Sequence, residues 1–366
     1  ELTAEIEAGF AELEALSGDQ VPRFLAEYGT ERGVSAATTA LAIARACLTT
    51  GVVQEDRDEF ARFIPRLLRM SVADGAWLEA REALTLLEDM GSDEWSPSTL
   101  TQEMMQPISI SSMRERIDQQ EPADVADFIA FIRSLGDPGV DLLNLVLAES
   151  EQRRNRRAIA EAIADLCRNN PERLAPFLSD RRWFVVRNIV HILGWIGGDS
   201  IVGMLQVAMR HPEPRVRQEI AAALGNVPPR LARPLLLKLL DGADSRMFCA
   251  VLHQLSGERH GPTAKLLLGY LVDPGFETRP TEEKRAIYST LGAVGGDEIV
   301  SELEAELFRG NWFSRTQDTH RQAVARVLAR VGTPQARQVL ERGATSRRVQ
   351  VRQACELAIM GMNDNE

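Results

Sequence analysis

Between Asp180 and Asp199 the apolar residues Phe184, Val186, Ile189, Val190, Leu193 and Ile196 recur at three- and four-residue steps, which places them on one face of a helix. Gly197-Gly198 ends that helix, glycine being the residue that takes a left-handed C-terminal cap without a Cβ clash. Asp199 is expected to accept hydrogen bonds from the free amides of the next helix. The stretch therefore predicts an αα-hairpin. Weaker copies follow at Val216–Gly225 and at Leu291-Gly292, the latter with Gly295-Gly296-Asp297 after it.

The last leucine of each first helix marks the recurrence: Leu135, Leu166, Leu193, Leu224, Leu255, Leu291 and Leu328, with Ile359 in the final copy. The steps are 31, 27, 31, 31, 36, 37 and 31 residues, the two long ones absorbed by loops at 273–280 and 310–316. Proline stands at the expected first turn of the second helix at Pro138, Pro171, Pro229, Pro262 and Pro334, where its missing amide costs nothing. Asp137, Asn170 and Thr333 precede three of them as candidate N-caps. A fixed period of helix pairs predicts an all-α, right-handed α-solenoid of stacked antiparallel pairs, since no pair can bury its apolar face alone. The motif Val-Arg-x-x-Ala-Ala-x-Ala-Leu-Gly, nearly complete at Val216–Gly225 and echoed at Val351-Arg352-Gln353-Ala354, resembles bacterial HEAT repeats of the kind also found in phycobilin lyase subunits. The resemblance implies a HEAT-like, ARM-like superhelix and leaves the function open.

Along the chain, residues 1–91 read as helical with a poor period: Glu1–Leu16, Ser35–Thr50, Phe60–Met70 and Trp77–Met90 are amphipathic or Ala/Leu-rich. Degenerate repeats are favoured over a separate small helical domain, because terminal repeats are usually atypical. Residues 92–121, rich in Ser, Thr, Gln and Met with Pro97 and Pro107, read as a linker or irregular crossing segment. Residues 122–366 carry the regular solenoid of about seven to eight repeats.

Composition sharpens this picture at three points. Aromatics make up only 5% of the 366 residues and no alternating Val/Ile/Thr runs occur, which fits stacked helices better than a sheet core. Cys47, Cys167, Cys249 and Cys355 are far apart on apolar helix faces; they read as core residues of a reducing compartment, and a cytoplasmic location is expected. The net charge of −11 divides unevenly: residues 1–150 hold 28 acidic and 11 basic side chains, against 25 and 31 in residues 151–366. No apolar run approaches the roughly 18 residues of a spanning helix, so no membrane role is expected. The sequence begins at Glu1, which leaves an upstream domain or signal open.

The candidate chemistry is basic and aromatic. Arg153, Arg154, Arg156 and Arg157 open one repeat; with Arg181, Arg182, Arg187 and Arg217 they would line up as an Arg ladder if the repeats stack in register, able to grip phosphates or an acidic protein. The competing reading pairs each with a carboxylate of the neighbouring repeat. Trp183 and Trp312 are candidates for stacking on a ligand, against the commoner role of plugging a seam between repeats. The five histidines show no metal-ligand spacing. No nucleophile elbow or phosphate loop occurs; Gly194-x-x-Gly197-Gly198 joins helix to helix, whereas a phosphate loop follows a strand.

The leading expectation is a non-catalytic scaffold or adaptor that binds a protein partner through an extended surface, needing no cofactor and no metal. Nucleic-acid binding through the Arg ridge is the second reading, by resemblance to HEAT-like alkylpurine DNA glycosylases, with Arg153–Arg157 and Trp183 as the residues that would matter. A subunit resembling bilin lyases is the third.

Overall fold

A computed structural model describes residues 36–50, 54–90, 96–119, 122–309 and 315–363. The helix expected over Glu1–Leu16 and the loop bearing Trp312 lie outside the described residues. The chain divides into two compact units, Glu1–Leu166 and Cys167–Glu366.

In the first unit α1 (Ala36–Thr50), α2 (Gln54–Asp74) and α3 (Trp77–Met90) pack on one another, followed by α4 (Pro97–Met104), α5 (Pro107–Gln119), α6 (Pro122–Ser134), α7 (Asp137–Glu149) and α8 (Arg153–Cys167). α3 stacks on α6, where the Trp77 ring meets Phe128 edge-on at 4.9 Å and lies over Phe131 at 6.1 Å. α4 and α5 both pack on α7. The segment expected to be a linker is thus mostly helical. Its prolines start helices instead of breaking them: the Ser96 hydroxyl accepts from the Thr99 amide at 3.2 Å with Pro97 in the first turn, and Leu100, Met104, Ile110, Met113 and Ile117 are buried.

The second unit is a helical-repeat array. A first row holds α9 (Trp183–Ile196), α11 (Pro214–Leu224), α13 (Ser245–Leu255), α15 (Thr281–Val294), α17 (Arg315–Val331) and α19 (Val349–Asn363), each packed on the next. Between them run a 3₁₀ segment (Pro171–Ser179) before α9, then α10 (Val202–Ala208), α12 (Pro229–Leu239), α14 (Gly261–Val272), α16 (Val300–Phe308) and α18 (Pro334–Ala344). Each first helix therefore meets its counterpart two elements on, the contact pattern of stacked hairpins. No strand occurs among the described residues. Val186, Ile189, Val190 and Leu193 are buried as the periodicity requires, and Val185 and Ile192 are buried too, because α9 is covered by the 3₁₀ segment on one side and α11 on the other. Fully burying each such side chain contributes about 1.5–3 kcal/mol. Phe184, assigned to the apolar face, is instead 37% exposed.

The turn after α9 ties adjacent repeats together. Gly197 has φ +67° and ψ −169°, a positive-φ conformation more extended than the left-handed helical cap expected for it. The Gly198 amide donates to the Asn226 carbonyl of the next repeat at 3.0 Å, and the Asn226 side chain donates back to the Gly194 carbonyl at 2.9 Å. Asp199 caps no helix through its carboxylate; it receives the Arg230 guanidinium at 2.8 Å.

All five predicted prolines occupy the first turn of their elements. Of the proposed caps, the Thr333 hydroxyl accepts from the Ala336 amide at 3.2 Å, whereas Asn170 makes no side-chain cap and Asp137 lies inside the first turn behind Gly136. His260 Nδ1 caps α14 by accepting from the Thr263 amide at 3.2 Å.

Candidate functional site

The Arg153–Arg157 cluster belongs to the first unit and is partly structural. Arg153 and Arg154 are exposed, Arg157 pairs with Glu161 at 2.8 Å one turn on, and Arg156 donates to the Ser150 and Glu151 carbonyls at 3.1 and 2.6 Å. Asn155, in the middle of the run, is buried and donates to the Ile117 carbonyl at 2.9 Å. What organises this corner is Asp118, which accepts from the Ser150 hydroxyl and the Glu151 amide at 2.8 Å each and from Asn155 at 3.2 Å. Burial pushes its pKa up, but these hydrogen bonds outweigh that and hold it below the ordinary carboxylate value.

In the second unit two of the four predicted arginines are matched by carboxylates. Arg182 forms two hydrogen bonds to Asp180 at 3.1 and 2.9 Å, and Glu219 receives both Arg187 at 3.1 Å and His191 at 2.7 Å. Burial opposes ionisation of Glu219, yet His191 and Arg187 together hold its pKa below the usual value. Arg181 is exposed and Arg217 half-buried. Trp183 is half-buried, with the Arg215 guanidinium 4.9 Å from its ring centre and Phe184 edge-on at 6.1 Å. One face of α9 thus runs from Phe184 through Arg187 and His191 to Trp195, which is 36% exposed and lies 4.4 Å from the His191 ring.

Two further features escaped the sequence reading. Between α15 and α17 a cleft of about 630 Å³ is rimmed by Lys284, Arg285, Arg326 and Arg330, with Tyr288, Ala323 and Val327 among its lining residues. Among the described residues Glu277 is its one carboxylate, and Lys284 holds it, donating to the Glu277 carbonyl at 2.6 Å and lying 3.8 Å from its carboxylate. A smaller cavity of about 300 Å³ shares Phe276, Glu277 and His320 with this cleft. His320 Nδ1 meets the Tyr288 hydroxyl at 2.7 Å, and Nε2 faces Glu306 at 3.5 Å. Burial lowers the His320 pKa against the pull of Glu306 and Glu277; burial, with those same carboxylates, raises that of Tyr288. With the imidazole neutral, the Glu306 carboxylate facing Nε2 favours the tautomer that carries its proton there, in which the Tyr288 hydroxyl donates to Nδ1. Sequence position alone did not mark the cleft: Lys284 and Arg285 lie seven and six residues before the repeat leucine Leu291, whereas Arg326 and Arg330 lie two before and two after Leu328.

In the first unit a groove of about 320 Å³ is lined by Val72, Leu100, Met104 and Met113, with Ile108 83% exposed at its edge. Cys167 and Cys355 are buried free thiols, and burial with Glu356 pushes Cys355 up to about 11. Among the described residues no group of three or more His, Cys, Asp or Glu is placed to hold a metal, and no helix is long and apolar enough to cross a membrane.

No protein family and no curated protein matches the sequence. Solved structures similar to it include human deoxyhypusine hydroxylase in complex with glycerol, at 16% identity over 74% of this chain and 99% of that one, with a TM-score of 0.25. Two engineered proteins are similar at 14% identity: one over 88% of this chain and 91% of its own with a TM-score of 0.36, the other over 73% and 96% with 0.19. The fold assignment rests on the helix pairing described above.

Proposed function

We propose that this chain is a non-catalytic binding module that engages a protein partner through the outer faces of α9 and α11. The supporting observation is the surface from Phe184 to Trp195: two large aromatic side chains more than a third exposed on one rigid helix, with Trp183 and Arg215 stacked beside them. Exposed Trp and Arg held on a preorganised scaffold are the residue types that dominate protein interfaces. Asp180, Glu213 and Glu219 are interleaved with the arginines. Those carboxylates would face a phosphate backbone unfavourably and suit a partner with an apolar anchor ringed by mixed charge; they count against the nucleic-acid reading. Arg181 and Arg217 are the cations left to meet the partner's acidic side chains.

The test is capture from lysate of the cells that make the protein, with and without nuclease, by wild type and by Phe184→Ala/Trp195→Ala. The expected result is one protein enriched under both conditions and lost with the double variant, whose melting midpoint stays within a few degrees of wild type. Enrichment that disappears with nuclease would reject this reading.

A further inference from the structure

We propose that the cleft between α15 and α17 binds a phosphate ester. This site lies on other helices than the surface above and does not depend on it. In the second unit Arg182, Arg187, Arg230, Arg279 and Arg342 each meet a carboxylate within 3.1 Å, whereas Arg181 and Arg217 meet none among the described residues. Around this cleft three arginines with no carboxylate partner among the described residues line one concavity. Among the described residues Arg326 donates only to the Gln322 carbonyl at 3.2 Å, Arg330 only to the Ser289 hydroxyl at 3.2 Å, and Arg285 meets no carboxylate. Lys284 offsets Glu277, the one acid of the lining among the described residues, which leaves the three guanidinium charges in excess.

Like charges gathered on one concavity disfavour the empty state, and a bound dianion would relieve that. Guanidinium forks match phosphate oxygens in pairs, so Arg326 and Arg330, one helical turn apart, are suited to hold one group between them. The Ser289 hydroxyl accepts from Arg330 and keeps its own proton to donate. Tyr288, Ala323 and Val327 supply an apolar wall for the organic part of the ester. A cleft of about 630 Å³ falls within the size range of small-ligand sites.

The placement of Arg330 is built in. A Cβ added at Gly292 would lie 3.1 Å from both Cβ and Cδ of Arg330, so the arginine stem crosses α15 over the one residue that leaves room for it. Gly292→Ala therefore displaces Arg330 without changing any charge.

The experiment is calorimetric titration of the full chain at about physiological salt. One arm uses phenyl phosphate as a free ester; the other uses a Gly-phosphoserine-Gly peptide with its unphosphorylated counterpart. The proposal expects saturable one-site binding in at least one arm, roughly tenfold or more weaker in Arg326→Gln/Arg330→Gln and measurably weaker in Gly292→Ala. Tighter phenyl phosphate binding would identify a free ester as the ligand, tighter phosphopeptide binding a phosphorylated protein side chain; both support the site. Absence of saturable binding in both arms, or affinity unchanged in both variants, overturns it. If the double variant does not fold, Arg285→Gln at an exposed position gives the same reading.

Discussion

Replacing Gly197 with Ala tests how adjacent repeats are locked together. At φ +67° and ψ −169° the residue occupies a region almost closed to side chains, which costs about 1–3 kcal/mol for a non-glycine residue. The new Cβ would lie 3.0 Å from the Asn226 carbonyl oxygen, which already accepts from the Gly198 amide, and 3.6 Å from Asn226 Cβ. Moving Asn226 away weakens that bond and the one from its side chain to the Gly194 carbonyl, at about 1 kcal/mol each. Stiffening the unfolded chain returns about 0.4–1 kcal/mol. The expected loss is therefore about 2–4 kcal/mol, and Val would be worse. Gly198→Ala is the internal control: its φ is +79° but nothing lies within 4 Å of the added Cβ, so only the conformational cost of about 1–2 kcal/mol applies. Urea unfolding followed by tryptophan fluorescence, with Trp195 two residues from the turn, gives both values. A Gly197→Ala loss below about 0.5 kcal/mol, or no larger than that of Gly198→Ala, would refute the role given to this turn.

Two further predictions concern charge. Asp118→Ala should cost about 2–3 kcal/mol at neutral pH by stripping the start of α8 of its acceptor, and Asp118→Asn less, since its one amide oxygen can keep either the Ser150 or the Glu151 bond but not both. Because the folded pKa of Asp118 is depressed, its contribution is complete above about pH 4 and fades as the pH falls through the folded value; a wild-type advantage that persisted at the lowest pH would contradict this. His320, also depressed, takes up its proton first in the unfolded chain as the pH drops below about 6.5, so stability should fall from there toward the folded value. His320→Gln should flatten part of the stability slope between about pH 7 and 5, and an unchanged slope would place the imidazole in water.

The repeat was legible because its signals are local. Val216–Gly225 reads as a helix from its own spacing, and the prolines at 138, 171, 229, 262 and 334 punctuate the second row wherever they occur. Local signals also misled. Pro97 and Pro107 read as breakers in a Ser- and Thr-rich stretch, although each stands where a helix can begin; Pro176 shortens the expected helix at 171–179 to a 3₁₀ segment by removing an amide from its interior. The Arg cluster was visible as composition, but that Asn155 turns inward to Asp118 while Arg157 stays on the surface depends on which face α8 buries. The cleft was hidden for a related reason. Lys284 and Arg285 look like the polar face of one helix and Arg326 and Arg330 like that of another, and only the stacking of α15 on α17 turns two ordinary faces into one concavity.

The most direct test of the binding role is a photo-crosslinking amino acid at position 184, compared with the same group at exposed position 341. The account predicts, in cells, a covalent adduct with one protein from position 184, sensitive to protease, resistant to nuclease and absent from position 341. No adduct, a nuclease-sensitive adduct, or equal yields from the two positions would contradict it.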